Sequence, residues 1–340
     1  MKGEIGNMMG FISDPFYLYA IKDEMIDNLF VNREDELSIA KGILGMKFGD
    51  TIEICLIVGG IGVGKSSLLH RIVKIANDMG YNAEFFDSPD SFYSGIEKSR
   101  KKKTVSLIDD VGKASDDEAR EFYNHTEKHM SEHGGILFFS DTYHRHKKTL
   151  ESRNFTVSQS ISLPRGMNKE KLSYFLRERM KRCLAPGEKF DFPFEDESLN
   201  IAATRSGGNL RNFLNYAKNG WMVAAGSEKT TVGMEEMKAG MIIIDRALLG
   251  ICDIIDFKIL WHSTTGIINK TYLAHKCEID TKTLDSRIDD KLAELITQKR
   301  SGKDVVVTSI YRYIDGGQEI LENVMEGLGV HKADVTGGRD

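Results

Sequence analysis

The segment Ile54-Cys55-Leu56-Ile57-Val58-Gly59-Gly60-Ile61-Gly62-Val63-Gly64-Lys65-Ser66-Ser67 joins an unbroken apolar run to a glycine-rich loop. Ile54–Val58 has the pattern of a strand buried on both faces. Gly59, four residues, then Gly64, Lys65 and Ser66 fit the phosphate-binding loop G-x-x-x-x-G-K-[ST]. Its glycines let successive backbone N–H groups turn inward around phosphate oxygens, where a Cβ obstructs. Lys65 supplies a mobile positive charge for the β- and γ-phosphates, and the Ser66 hydroxyl is a ligand for Mg²⁺. Leu68, Leu69, Ile72, Val73 and Ile75 follow at helical spacing, so a helix N-terminus points its dipole at the same anion. A dinucleotide fold is excluded, because Gly60-Ile61-Gly62 would need Gly or Ala where Lys65 stands. The expected ligand is a nucleoside triphosphate, ATP or ADP, with Mg²⁺.

The rest of the composition narrows the class. A length of 340 residues predicts two to three domains at roughly 150 residues each. The 41% apolar and 29% charged residues are ordinary for a globular chain, and the net charge of −5 argues against a wholly basic surface. Any nucleic-acid contact is therefore local. Cys55, Cys183, Cys252 and Cys277 never form a C-x-x-C pair, so the sequence points to buried thiols in a reducing cytosol. No apolar run reaches the ~18 residues of a membrane span, and Met1-Lys2-Gly3-Glu4 lacks the apolar core of a signal peptide. The expectation is a soluble cytoplasmic protein with no membrane partner.

Upstream of the loop, Phe30-Val31-Asn32-Arg33 precedes Glu34-Asp35-Glu36, which predicts a capped helix to about Leu44 with Phe30 and Val31 against an adenine ring. Downstream, Ala83–Phe86 reads as a second strand and Lys98–Lys103 as a solvated turn. Thr104–Asp110 is an apolar strand ending in two carboxylates. Asp109 is placed to hold Mg²⁺ through water, and Asp110 to orient an attacking water. A polar helix is expected over about Asp116–Glu132. Gly135–Thr142 is a buried strand ending in Ser140, Asp141 and Thr142, groups suited to sensing a γ-phosphate or the lytic water. Val157–Leu163 adds a further strand. Strands alternating with helices, with polar residues at the strand ends, predict an α/β fold with its ligand crevice at that edge.

Beyond Pro164-Arg165-Gly166 the periodicity is helical, over Leu172–Leu184, Leu199–Thr204, Leu210–Ala224 and from about Met234. Gly207-Gly208-Asn209-Leu210-Arg211 puts Arg211 in the first turn of a helix, where a helical cap would aim it at the phosphates. Then come helices over Ile254–Trp261 and Asn269–Cys277, and a third carrying Leu284, Ile288, Leu292, Leu295 and Ile296 on one face. A turn at Ser301–Asp304 leads into the β-rich Val305–Tyr311. This order predicts a winged helix-turn-helix. Residues 331–340 read as a frayed tail.

The order of parts resembles an AAA+ ATPase of the initiator and helicase-loader group, most of all the archaeal Orc/Cdc-type replication initiators. Asn32-Arg33-Glu34 resembles their N-terminal nucleotide-pocket motif, Gly59–Ser66 their Walker A and Ile108-Asp109-Asp110 their Walker B. Asp141 or Thr142 occupies the place of sensor 1 and Arg153 that of the arginine finger. Gly208-Asn209-Leu210-Arg211 looks like sensor 2. The family usually has Asp-Glu where this chain has Asp109-Asp110, which implies slow hydrolysis. Leu107–Lys113 and Phe139–Asp141 also look like the bacterial DnaA and DnaC-type loaders. The resemblance implies an AAA+ domain over 1–166, a helical lid over 167–245 and a winged helix over 246–330. It also implies self-association or related AAA+ subunits, double-stranded DNA, and a replicative helicase as possible client.

Between Lys258 and Tyr313 ten basic residues stand against seven acidic ones, a local excess favourable to DNA. Lys282, Ser286, Arg287, Arg300, Lys303 and Arg312 are the expected DNA contacts. Asp285, Asp289 and Asp290 on the same helix keep open a second reading, an ATP-gated regulatory module whose winged helix docks protein. A small-molecule phosphotransferase would need a substrate-binding insertion that the sequence does not show.

Overall fold

In the computed structural model, which describes residues 11–18, 25–46, 52–60, 62–96, 104–109, 111, 121–126, 128, 135–141, 157–163, 166–266, 268–292, 295–301, 304–313 and 317–336, strand β1 (Ile52–Val58) divides its side chains between two cores. Cys55 and Ile57 join Leu68, Leu69, Ile72 and Val73 on one face of the sheet. Ile54, Leu56 and Val58 join Ile108, Leu137 and Phe139 on the other. A strand with no solvent face needs apolar residues at every position, which is why the run is unbroken. Each such side chain contributes about 1.5–3 kcal/mol on burial.

The chain forms two compact units, Met1–Phe192 with Asn209–Arg211, and Pro193–Gly208 with Asn212–Asp340. The first holds α1 (Ile26–Leu29), α2 (Glu34–Leu44), β1, α3 (Lys65–Asp78), β2 (Asn82–Phe86), α4 (Pro89–Ile96), β3 (Thr104–Ile108), β4 (Gly135–Asp141), β5 (Val157–Ser162) and α5 (Lys169–Cys183). Its five strands are parallel in the order β2-β3-β4-β1-β5. The register sets Val58 beside both Asp141 and Ser162, and Ile108 beside Phe139. All strand C-termini therefore share the edge to which the glycine loop is attached. Of the polar helix expected over 116–132, residues 121–126 are helical and most of the remainder lies outside the described residues.

The second unit opens with α6 (Asp196–Arg205), α7 (Leu210–Gly226, whose first two residues count with the first unit) and α8 (Met234–Leu249). Helices α7 and α8 approach through Gly220 and Gly240. A Cβ on Gly240 would fall 2.5 Å from the Asn219 carbonyl carbon, and nearer still to the Gly220 nitrogen. The buried Arg205 pairs with the buried Asp245, and its guanidinium also lies 5.1 Å from the Tyr311 ring centroid.

After these come α9 (Ile254–Thr265), β6 (Ile268–Asn269), α10 (Lys270–Lys276), α11 (Thr281–Asp290), β7 (Ile296–Ser301), β8 (Asp304–Ser309), a 3₁₀ turn (Ile310–Tyr313), α12 (Gly317–Gly327) and α13 (Lys332–Thr336). Asn269 caps α10 by accepting from Thr271 N at 2.8 Å, and Asp280 caps α11 by accepting from Thr283 N at 2.8 Å. The three short strands form an antiparallel sheet, β6-β8-β7. Helix-turn-helix followed by a hairpin is the winged arrangement.

Three details depart from the sequence reading. Helix α11 ends at Asp290, so Leu292, Leu295 and Ile296 belong to the following turn and to β7, although all three are buried. The apolar spacing continues because the turn packs into the same core. Within the expected frayed tail, Lys332–Thr336 is helical, with Val335 only 1% exposed in the C-terminal core, and residues 337–340 lie outside the described residues. Helix α12 has no counterpart in the sequence reading, and it buries Leu321, Val324 and Met325.

Candidate functional site: the glycine loop and the strand edge

Gly64 ends the loop with φ 95°, a left-handed position that a side chain would strain, and α3 begins at Lys65. Gly62 also has positive φ, 77°, and a Cβ there would stand 2.7 Å from Asn209 Oδ1 and 3.1 Å from the Arg211 Cβ. The structure thus brings Asn209 and Arg211 directly onto the glycine loop, within the first unit. Lys65 Nζ donates to the carbonyl oxygens of Gly59 and Gly60, 2.9 Å each, so its ammonium is held over the loop. Val63 is buried and anchors the loop to the core, while Ser66 and Ser67 lie in the first turn of α3. Ile61 lies outside the described residues.

The first turn of α3 carries no acidic residue, so the positive end of the helix dipole and the Lys65 charge act together on an anion. This cradle fits the phosphates of a nucleotide. Ser66 and Asp109 offer hard oxygen donors of the kind Mg²⁺ takes. Among the described residues no group of three or more His, Cys, Asp or Glu side chains stands ready to hold a metal alone.

Asp109 follows β3 and is 7% exposed. Its N–H donates to Phe86 O at 2.9 Å, and its Oδ1 accepts from Ser140 Oγ at 2.5 Å. Asp141 is buried at the end of β4, and its carbonyl accepts from Gly59 N at 3.1 Å, tying the strand end to the loop. Asp110, Thr142 and Arg153 lie outside the described residues.

The N-terminal motif divides its work. Asn32 and Arg33 line a cleft of about 530 Å³ whose other wall includes Gly166, Asn168 and Tyr174. Phe30 and Val31 do not line that cleft. Phe30 packs on the sheet core beneath the Arg71 guanidinium, 5.9 Å away, and Val31 is buried. Asn168 caps α5 by accepting from Lys171 N at 2.9 Å. The sequence reading does not single out Asn168 or Tyr174. The signal available is an Asn at the start of the Leu172 periodicity, just beyond the Gly166 break.

On the winged helix, Lys282 and Ser286 are exposed on the side of α11 opposite the buried Leu284 and Ile288. Arg312 is exposed after β8. Arg287 is engaged inside the fold: its Nη1 donates to Asp253 Oδ2 and Asp256 Oδ1, 2.7 Å each. Lys291 Nζ lies 3.4 Å from Asp256 Oδ2. Lys270 pairs with Asp285. The backbone of Arg300 lies in β7, and Lys303 lies outside the described residues.

No protein-family model matches the chain, and no curated protein matches it. Solved structures do. The Thermotoga maritima RuvB Holliday junction branch migration motor matches over 93% of this chain and 99% of its own, at 16% identity and TM-score 0.56. The Aeropyrum pernix ORC2 protein, in ADPNP and ADP complexes, matches over 92% and 97%, at 13% identity and TM-score 0.55. The Aeropyrum pernix ORC1 protein in complex with DNA matches over 92% and 94%, at 11% identity and TM-score 0.53. The fold is that of the AAA+ ATPases, with a parallel sheet in the order described, a helical lid region and a winged helix. It is shared with RuvB and with archaeal Orc1 and Orc2. No helix among the described residues is long and apolar enough to cross a membrane.

Proposed function

We propose that this chain is an ATP-binding, slowly hydrolysing AAA+ protein that engages double-stranded DNA through its winged helix, as an Orc/Cdc-like replication initiator or helicase loader. The observation that carries the nucleotide reading is the Lys65 ammonium, held over a glycine loop at a helix N-terminus with Arg211 beside it. Lys65 and Arg211 supply positive charge to the phosphates, and the α3 N–H groups position them. Mg²⁺, when bound, neutralises charge developing between the β- and γ-phosphates. Ser66 and Asp109 are its protein-side oxygens, Asp110 orients water, and Asp141 or Thr142 senses the γ-phosphate. Arg153 acts on a neighbouring subunit's nucleotide, so activity depends on self-association.

The DNA reading is supported by the local basic excess and by the exposed Lys282 and Arg312. One observation favours the second reading, a regulatory ATPase whose winged helix docks protein: Arg287 and Lys291 are neutralised by Asp253 and Asp256. Mass photometry with and without ATP and duplex DNA separates the two. Lys65→Ala should lose most ATP affinity while keeping its fold. ATP-dependent assembly on DNA supports the initiator or loader reading. Assembly that ignores DNA at low salt transfers support to protein docking, and a Lys65→Ala variant that binds labelled ATP normally overturns the nucleotide site.

A further inference from the structure

The geometry assigns Ser140 as a positioning residue for Asp109, an inference that rests on the nucleotide–Mg²⁺ reading above. β3 and β4 are parallel neighbours paired at Ile108 and Phe139, so the next residues along, Asp109 and Ser140, come side by side at the strand ends. Alternation places both on the face of the sheet that carries the helix after the glycine loop: Val105 and Leu107 precede Asp109 there, and Ile136 and Phe138 precede Ser140. Asp141, one residue on, falls by the same alternation on the side of Leu137 and Phe139.

Ser140 is fully buried, and its Oγ donates to Asp109 Oδ1 at 2.5 Å. That length belongs to a short, charge-assisted hydrogen bond to a carboxylate. A carboxylate free to rotate about its Cβ–Cγ bond presents either oxygen, or the edge between them, to a metal-bound water. Fixing Oδ1 on Ser140 restrains the plane of the group, so that Oδ2 would be the oxygen left to serve a bound ion. Ser140 thus acts on Mg²⁺ through Asp109. Partners of this kind, one bond removed from a metal site, typically change metal affinity by about 10–100-fold when removed.

The test is binding rather than turnover. Affinity for a fluorescent ADP is measured on the full chain in EDTA and across a Mg²⁺ titration. The comparison covers wild type, Ser140→Ala, Ser140→Thr, Asp109→Asn and the Ser140→Ala/Asp109→Asn double variant. Ser140→Ala should keep the affinity seen in EDTA and raise the Mg²⁺ concentration for half-maximal enhancement about tenfold or more. Ser140→Thr, which keeps the hydroxyl, should restore the wild-type Mg²⁺ response. In the Asp109→Asn background the serine change should add nothing, because its target is already gone. An unchanged Mg²⁺ response in Ser140→Ala overturns the assignment, as does an equal extra loss in the Asp109→Asn background. Should Ser140→Ala fail to fold, Ser140→Thr with a shifted Mg²⁺ response overturns it, and with the wild-type response supports it. Wild-type protein that binds ADP neither in EDTA nor with Mg²⁺ instead overturns the underlying nucleotide reading.

Discussion

Arg33 Nη2 donates to the main-chain oxygen of Val63, 2.9 Å away, while Nη1 of the same guanidinium donates to Glu36 Oε1 at 2.8 Å. The motif ahead of α2 is therefore fastened to the glycine loop thirty residues later. Asn32 and Arg33 both take left-handed backbone conformations, φ 66° and 79°, which cost free energy in non-glycine residues. The two charged hydrogen bonds offset that strain and hold Val63 in place.

Arg33→Ala should therefore weaken ATP binding without removing any group that touches phosphate. A hydrogen bond from a charged group is worth about 1.5–3 kcal/mol, so a loss on the order of tenfold or more in affinity is expected. Arg33→Lys should not rescue it, since one ammonium does not reproduce a fork reaching two acceptors. Titration of labelled ATP checks both, and full affinity in Arg33→Ala would show that the loop holds itself.

How much of this is legible in the sequence follows from how local each signal is. The strand, glycine loop and helix over 54–76 are set by neighbours in sequence, and apolar runs, φ-permissive glycines and helical spacing all agree there. The Ser140–Asp109 bond spans 31 residues and exists because strand register sets two strand ends side by side. No pattern within either strand states that register. Phe30 and Val31 read as a base pocket from their place in a motif; in the fold Phe30 packs against the sheet core and Val31 is buried. At the wing, Leu292, Leu295 and Ile296 keep helical spacing past the end of α11, because a tight turn feeding the same core buries the same positions. Helix α12 starts at Gly317, where a Cβ would collide with the Tyr311 main chain. That glycine marks a close approach inside a folded unit, which no pattern in the neighbouring sequence states.

Gly240→Ala should destabilise the second unit. The added methyl meets the backbone of Asn219 and Gly220, and backbone gives way less readily than a side chain end. Overpacking of this kind costs about 1–3 kcal/mol. Urea unfolding followed by circular dichroism should show a lower midpoint with an unchanged slope. Gly226→Ala, on the facing helix α7 with open space at its Cβ, is the control expected to be neutral or slightly stabilising.

Stability should also fall in acid through Asp253. Burial pushes its carboxyl upward, but hydrogen bonds from Arg287 and from the α9 backbone outweigh it, and the net shift is below the ordinary value of 3.8. A folded-state value below the unfolded one contributes stability that is present above about pH 4 and lost as pH falls through the folded value. Asp253→Asn keeps the helix cap but removes the titration. Its unfolding midpoint should therefore be lower at pH 6 and converge on wild type as the pH falls through the folded-state value. Parallel curves for the two proteins over that range would exclude Asp253 from the acid limb.

The winged helix gives the last and most discriminating expectation. Arg287 and Lys291 carry charge toward α11, yet Asp253 and Asp256 neutralise them within the fold. A phosphate must break that cluster to reach Arg287, and would strip the buried Asp256 carboxylate of its nearer cation, leaving it the more distant Lys291. Arg287→Ala should accordingly lower the thermal midpoint while leaving duplex affinity and its salt dependence near wild type. Lys282 and Arg312 are exposed, so their reversal to Glu should weaken binding to all duplex sequences. The salt slope should flatten by about one unit for each phosphate that the variant no longer neutralises. Lys282→Ala alone, at the N-terminal end of α11, should change sequence preference more than affinity. The measurement is fluorescence anisotropy of labelled duplexes with ATP and Mg²⁺ over a range of salt. If Arg287→Ala proves the most damaging of these variants while remaining folded, the ion cluster opens on binding. If none of them matters and wild type itself ignores duplex at low salt, the wing is a docking surface for protein.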